Sequence, residues 1–128
     1  MKASELRIGN LVNGVLTQKP YIIDAWALRE MESGNYQNSQ DTETKVFEPI
    51  PLTEEWLLKF GFEKNLNSNN IIYYILAGKC LLEYNLTHNI ADIVKKVHLD
   101  LFIDIKYVHQ LQNLYFALTG EELTFKSE

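Results

Sequence analysis

A histidine and two carboxylates, His98, Asp100 and Asp104, have the residue types of a metal site or an acid–base pair. They occupy alternate positions of one predicted strand, and therefore one face of it. At a rise of about 3.3 Å per residue, His98 and Asp104 stand about 20 Å apart, too far to bind one metal ion. Only His98 and Asp100 could cooperate, and the polar side of a half-buried strand explains the same residues. We predict no metal site and no cofactor there.

The other reactive side chains also lack a catalytic arrangement. Glu54 and Glu55 are adjacent, so they point in different directions on a helix, where the helix dipole explains them. His109 lies on a predicted helix as a surface or packing residue, and the single cysteine, Cys80, lies in an apolar run as a small buried thiol. The chain has no glycine-rich phosphate loop, CxxC pair or nucleophile elbow. We therefore predict that the protein is not an enzyme.

Two segments have the pattern of amphipathic helices with defined ends. From Tyr107 to Leu118 apolar residues recur at spacings of three and four, and Gly120 follows where a helix often ends in a left-handed residue. Gln110, Gln112 and Asn113 fall largely on the opposite side. The helix is predicted at about residues 107–119.

The earlier helix is predicted at about residues 53–60. Pro51 keeps the chain extended before it, Thr53 can cap it, and Gly61 can end it. Its predicted buried residues are Trp56, Leu57 and Phe60.

The remaining periodic segments predict short antiparallel strands. Asn13-Gly14 is typical of a type I′ hairpin turn between strands at residues 6–12 and 15–17. The segment Tyr21–Met31 fits either a strand that runs into a loop or a short helix, and we favour a strand through Ile23 followed by a short helix. A second hairpin is predicted around Ala77-Gly78, and residues 97–105 alternate as a half-buried strand. The expected fold is α+β, an antiparallel sheet of short strands and hairpins with the two main helices packed on it, in a single domain of residues 1–128.

Three segments also resemble a known family. The runs Pro49–Phe62 and Tyr107–Leu123, together with the start Met1–Val12, are similar to the signature blocks of small proteins of phages and prophages of Bacteroidota. Most members have no assigned role, and the family pattern assigns no functional residues to this chain. The resemblance implies an anti-CRISPR function, directed at the RNA-guided, RNA-cleaving effector of type VI-B systems.

Composition and charge agree with a binding protein in the bacterial cytoplasm. The net charge is −5 and 46% of the residues are hydrophobic, which excludes a disordered chain. No apolar run approaches the length of a membrane span, and the start has no apolar region of a secretory signal. No segment is basic enough to follow a phosphate backbone, so direct nucleic-acid binding is not favoured. An acidic chain suits a partner with a basic groove.

We therefore predict a non-enzymatic phage or prophage inhibitor that binds a host CRISPR nuclease or its guide RNA complex. An acidic and aromatic surface would make the contact. Part of it is expected on the polar segment Ser33–Thr44, the longest predicted loop and the segment expected to be most mobile. The predicted partner-binding residues are Glu32, Tyr36, Asp41, Glu43, Asp100 and Asp104.

The alternative is a phage accessory protein that binds single-stranded nucleic acid. The N-terminal strands would form a small barrel-like sheet, and bases would stack on Tyr73, Tyr74, Tyr84 or Trp26. The absence of a basic stripe argues against it.

Overall fold

The computed structural model describes residues 5–15, 17–33, 47–66, 71–94 and 102–125, apart from the side chains of Glu30, Glu32 and Ser33. Within these residues the antiparallel strands form two sheets, accompanied by three helices, which confirms the α+β class. The chain divides into two compact units, Met1–Pro51 with Tyr107–His109, and Leu52–Lys106 with Gln110–Glu128. The assignment of residues 1–128 to a single domain stays a prediction.

The first unit holds a three-stranded sheet in the order β2-β1-β3 and one helix. Its elements are β1 (Leu11–Gly14), β2 (Pro20–Ile22), α1 (Ala25–Ser33) and β3 (Phe47–Glu48). α1 begins where it does because Asp24 Oδ1 accepts from the backbone N–H of Ala27 at 2.8 Å. Leu6, Val12, Ile23, Ala27 and Met31 form the buried cluster. The predicted strand through Ile23 followed by a short helix is confirmed.

The predicted type I′ turn at Asn13-Gly14 is wrong, although a hairpin is present. Both residues lie inside β1, which pairs on both sides: Asn13 stands opposite Pro20 on β2 and Glu48 on β3. This pairing holds the Asn-Gly dipeptide extended and moves the turn to the residues after it. There Gln18 takes the left-handed conformation, with φ +56°, and its N–H donates to the Gly14 carbonyl oxygen at 2.9 Å. The predicted strand start at Leu6 is also wrong, because β1 begins only at Leu11.

The second unit holds a five-stranded antiparallel sheet in the order β4-β5-β6-β7-β8. The strands are β4 (Glu63–Lys64), β5 (Ile72–Ala77), β6 (Cys80–Asn85), β7 (Ile90–Val94) and β8 (Ile103–Asp104). The predicted hairpin is confirmed between β5 and β6, where Gly78 has φ +64°. The sequence pattern did not predict the strand β7. Of the predicted strand at residues 97–105, the described part keeps the alternation, with Ile105 buried and Asp104 exposed.

The two main helices are α2 (Glu54–Lys59) and α3 (Val108–Thr119). Thr53 Oγ1 accepts from the N–H of Trp56 at 3.4 Å, which confirms the predicted cap. Gly61 and Gly120 have φ +92° and +72°, so glycine ends both helices in the left-handed region. None of the described helices is both long and apolar enough to cross a membrane.

The predicted polar side of α3 is partly wrong. Gln112 is only 2% exposed and His109 is 3% exposed, beside the buried Val108 and Leu111. The apolar residues Leu114 and Tyr115 are only half-buried. Polarity alone does not decide which side of a helix is buried, because a glutamine amide is accommodated wherever hydrogen-bond partners are supplied.

Candidate binding surface on the five-stranded sheet

The sheet of the second unit has one buried face and one open face. Tyr73, Ala77, Leu82, Tyr84 and Ala91 are fully buried, and strand alternation turns their neighbours to the other side. We call this other side the open face, because its described residues are half-buried or exposed. It carries Glu63, Ile72, Tyr74, Leu76, Leu81, Glu83, Asn85, Ile90, Asp92, Val94 and Asp104.

Strand register arranges these side chains in rows across the sheet. The first row runs Glu63, Tyr74, Glu83, Asp92 over β4 to β7, each residue directly opposite the next. The second row runs Ile72, Asn85, Ile90, Asp104 over β5 to β8. Directly opposite residues of antiparallel strands have Cβ atoms about 4.5–5.5 Å apart. The two rows thus place four carboxylates on one face and contain no lysine or arginine.

The aromatic ring in the first row is held by its acidic neighbour. A hydrogen bond with the Glu63 carboxylate, together with the charge of that group, raises the pKa of the Tyr74 hydroxyl above its usual range. The Tyr74 hydroxyl gives this row a polar edge beside Leu76, an apolar residue of the same strand that is 72% exposed.

A cavity of about 250 Å³ opens on this face. Its acidic side consists of Glu83 and Asp92, and Phe102 forms part of its aromatic and apolar side. Phe102 is 61% exposed. Its backbone is left-handed, with φ +48°, which is uncommon for a residue with a bulky side chain. The complete lining is Ile72, Glu83, Asn85, His88, Ile90, Asp92 and Phe102.

Hydrogen bonds hold the turn between β6 and β7 that carries His88. Asn85 Oδ1 accepts from the backbone N–H of Thr87 at 2.9 Å and of His88 at 3.2 Å. The Tyr84 hydroxyl donates to the Ile105 carbonyl oxygen at 2.7 Å and lies 2.9 Å from Asn89 Oδ1. Burial raises the pKa of Tyr84 to about 12, so the hydroxyl keeps its proton. These contacts fix the turn whose Asn85 and His88 line the cavity.

The structure places only one of the predicted partner-binding side chains on this face. Asp104 is exposed on β8, opposite Ile90. The predicted contact residues Tyr36, Asp41 and Glu43 lie outside the described residues, as does the predicted loop after Ser33. Asp100 and His98 also lie outside them. Glu32 lies on α1 in the first unit, where its side chain is not described.

Sequence reasoning missed Glu63, Glu83 and Asp92. Glu83 had one visible signal, its place between Leu82 and Tyr84 in a predicted strand, but the common row depends on the pairing of four strands. Within the described ranges, no group of three or more His, Cys, Asp and Glu side chains is arranged to hold a metal ion.

The prediction that four aromatic rings could stack with nucleic-acid bases is partly wrong. Tyr73 and Tyr84 are fully buried, so neither ring is available to a base. Tyr74 is half-buried and Trp26 is 54% exposed, and these two lie in different units.

Comparison with family models, with curated proteins and with solved structures gave no match for this chain.

Proposed function

We propose that the protein is a non-enzymatic binding protein whose open face contacts a positively charged surface of a partner protein. The observation that carries the proposal is the pair of rows across the five-stranded sheet, where Glu63, Glu83, Asp92 and Asp104 share one face. Four carboxylates, in two rows whose described residues include no lysine or arginine, favour encounter with a basic groove.

Apolar and aromatic groups beside the carboxylates favour a protein partner. Leu76 and Phe102 are largely exposed, and Tyr74 lies in the acidic row between Glu63 and Glu83. Exposed apolar groups next to a charged rim are typical of protein interfaces, in which a few large side chains supply most of the binding energy. Charge would set orientation and specificity, and these side chains would supply affinity.

The resemblance to phage and prophage proteins directs the choice of partner. We propose a host RNA-guided, RNA-cleaving nuclease of the type VI-B class, or its complex with guide RNA, bound in the cytoplasm of the bacterium. A nuclease that holds RNA has a basic groove, which complements a chain of net charge −5. The protein would act as a stoichiometric anti-CRISPR inhibitor without a cofactor.

Titration of a purified type VI-B nuclease with the protein tests this function. Inhibition should saturate near one protein per complex, since a binder blocks one complex per molecule whereas an enzyme acts at trace amounts. Full inhibition at strongly substoichiometric protein would contradict binding as the mechanism.

Charge reversal tests the surface. Replacing Glu83, Asp92 and Asp104 together by lysine should weaken inhibition, while replacing the exposed Glu55 and Glu121 by lysine should leave it unchanged. Unaltered inhibition by a folded triple variant would exclude the open face.

A mobility-shift titration with single-stranded RNA separates the alternative function. Tight binding by the protein alone, falling steeply with salt, would favour a nucleic-acid-binding protein over an inhibitor that contacts protein.

A further inference from the structure

We infer that the cavity beside Glu83 and Asp92 receives an arginine side chain of the partner protein. The inference rests on the proposed function, because it names the chemical group that the open face selects. The cavity volume of about 250 Å³ suits one long side chain, being below the usual range of cofactor pockets of about 300–1,000 Å³.

The acidic side of the cavity has the geometry for a forked donor. Glu83 and Asp92 are directly opposite on β6 and β7, so their Cβ atoms lie about 5 Å apart and both carboxylates border the cavity. A guanidinium group presents five N–H donors in a rigid plane and binds carboxylates through paired hydrogen bonds. Asp92 Oδ1 accepts from the backbone N–H of Ile93 at 2.8 Å, and a carboxylate has further acceptor positions, so one guanidinium group could contact both carboxylates at once.

The other side of the cavity suits the flat face and the aliphatic stem of the same side chain. Phe102 offers an exposed aromatic ring, and guanidinium groups stack on such rings. Ile72 and Ile90 also line the cavity and offer apolar contacts for the three methylene groups of an arginine stem. A lysine ammonium would find the carboxylates but gain less from the ring, because it has no planar face.

NMR titration of the full chain with short capped peptides tests the assignment. The probes are Ac-Ala-Arg-Ala-NH₂, the same peptide with lysine and the same peptide with citrulline, which keeps the shape but is uncharged. Amide resonances of Glu83, Asp92 and Phe102 should shift with the arginine peptide. We expect affinity about tenfold weaker for lysine, and no binding for citrulline, since charge-assisted hydrogen bonds are lost.

Two variants locate the site. Glu83→Gln combined with Asp92→Asn should abolish the shifts, and Phe102→Ala should weaken binding while reducing the preference for arginine over lysine. Glu121→Gln, at an exposed carboxylate away from the cavity lining, is the matched control and should bind the peptide like the parent. Because Phe102 is largely exposed, its variant tests the site even if the double variant fails to fold.

The outcomes separate this inference from the proposed function. Equal affinity for arginine and lysine peptides, or no cavity shifts at millimolar arginine peptide, would overturn the arginine assignment. In that case the proposed function would still stand if charge reversal on the open face abolished inhibition of the nuclease. Selective arginine binding by a protein that leaves the nuclease active would support the cavity and overturn the choice of nuclease as partner.

Discussion

Glu83 and Asp92 face each other across β6 and β7 on the open side of a sheet whose opposite side is buried. Like charges directly opposite on neighbouring strands repel each other, which lowers the stability of a sheet. A positively charged group placed between them would reverse that effect. The arrangement is therefore better explained by a role in binding a cationic group than by a role in stabilising the fold.

Replacing Glu83 by Gln should increase the free energy of unfolding by about 0.2–1 kcal/mol, because the repulsion across the strands disappears while the side-chain shape is kept. Urea melts at low and at high salt measure it, and the gain should shrink at high salt. Glu121→Gln serves as the control and should change little. A loss of stability in Glu83→Gln would show that the carboxylate makes a favourable contact.

Replacing Tyr84 by Phe should cost about 1–3 kcal/mol, because the Ile105 carbonyl oxygen loses its buried donor. Tyr73→Phe is the matched control on the same face of the sheet. Its hydroxyl makes no hydrogen bond of full geometry to a described residue, but the Glu54 carboxylate is close enough that burial and this neighbour together raise the pKa of Tyr73 to about 12. Removing that hydroxyl leaves no buried backbone carbonyl without its donor, so Tyr73→Phe should cost less than Tyr84→Phe. Equal losses for both variants in thermal melts would contradict this difference.

Replacing leucine side chains of α3 by alanine should destabilise the protein in proportion to their burial. Leu111 is fully buried, so Leu111→Ala should destabilise the protein by about 2–5 kcal/mol. Leu114 is half-buried, so Leu114→Ala should cost less. Denaturant melts that leave Leu111→Ala within experimental error of the parent would contradict the packing of α3.

Stability should decrease as the pH falls below about 6.5, the ordinary pKa of histidine. Burial lowers the pKa of His109, an effect that Glu5 partly opposes. The unfolded chain therefore binds a proton at this site at a higher pH than the folded chain does, and stability is lost as the pH falls through the folded-state value.

Urea melts from pH 7.5 to 5.5 measure that loss. His109→Gln should flatten the dependence in this range, and His88→Gln, at an exposed turn residue, should leave it as in the parent. An unchanged slope in the His109 variant would exclude this histidine as the cause.

The sequence by itself determined the elements whose signals are local. Thr53 and Gly61 set the ends of α2, Gly120 ends α3, and Gly78 marks the hairpin between β5 and β6. Caps, periodicity and left-handed glycines act over about four residues, so neighbouring residue types suffice to predict them.

Tertiary structure decided everything that depends on which strands pair. It held Asn13-Gly14 inside a central strand and placed Tyr84 on the buried face of the sheet. It also brought Glu83 and Asp92 into one row. The physical reason is that register joins residues far apart in the chain, and a shift of one residue would turn either carboxylate to the other face.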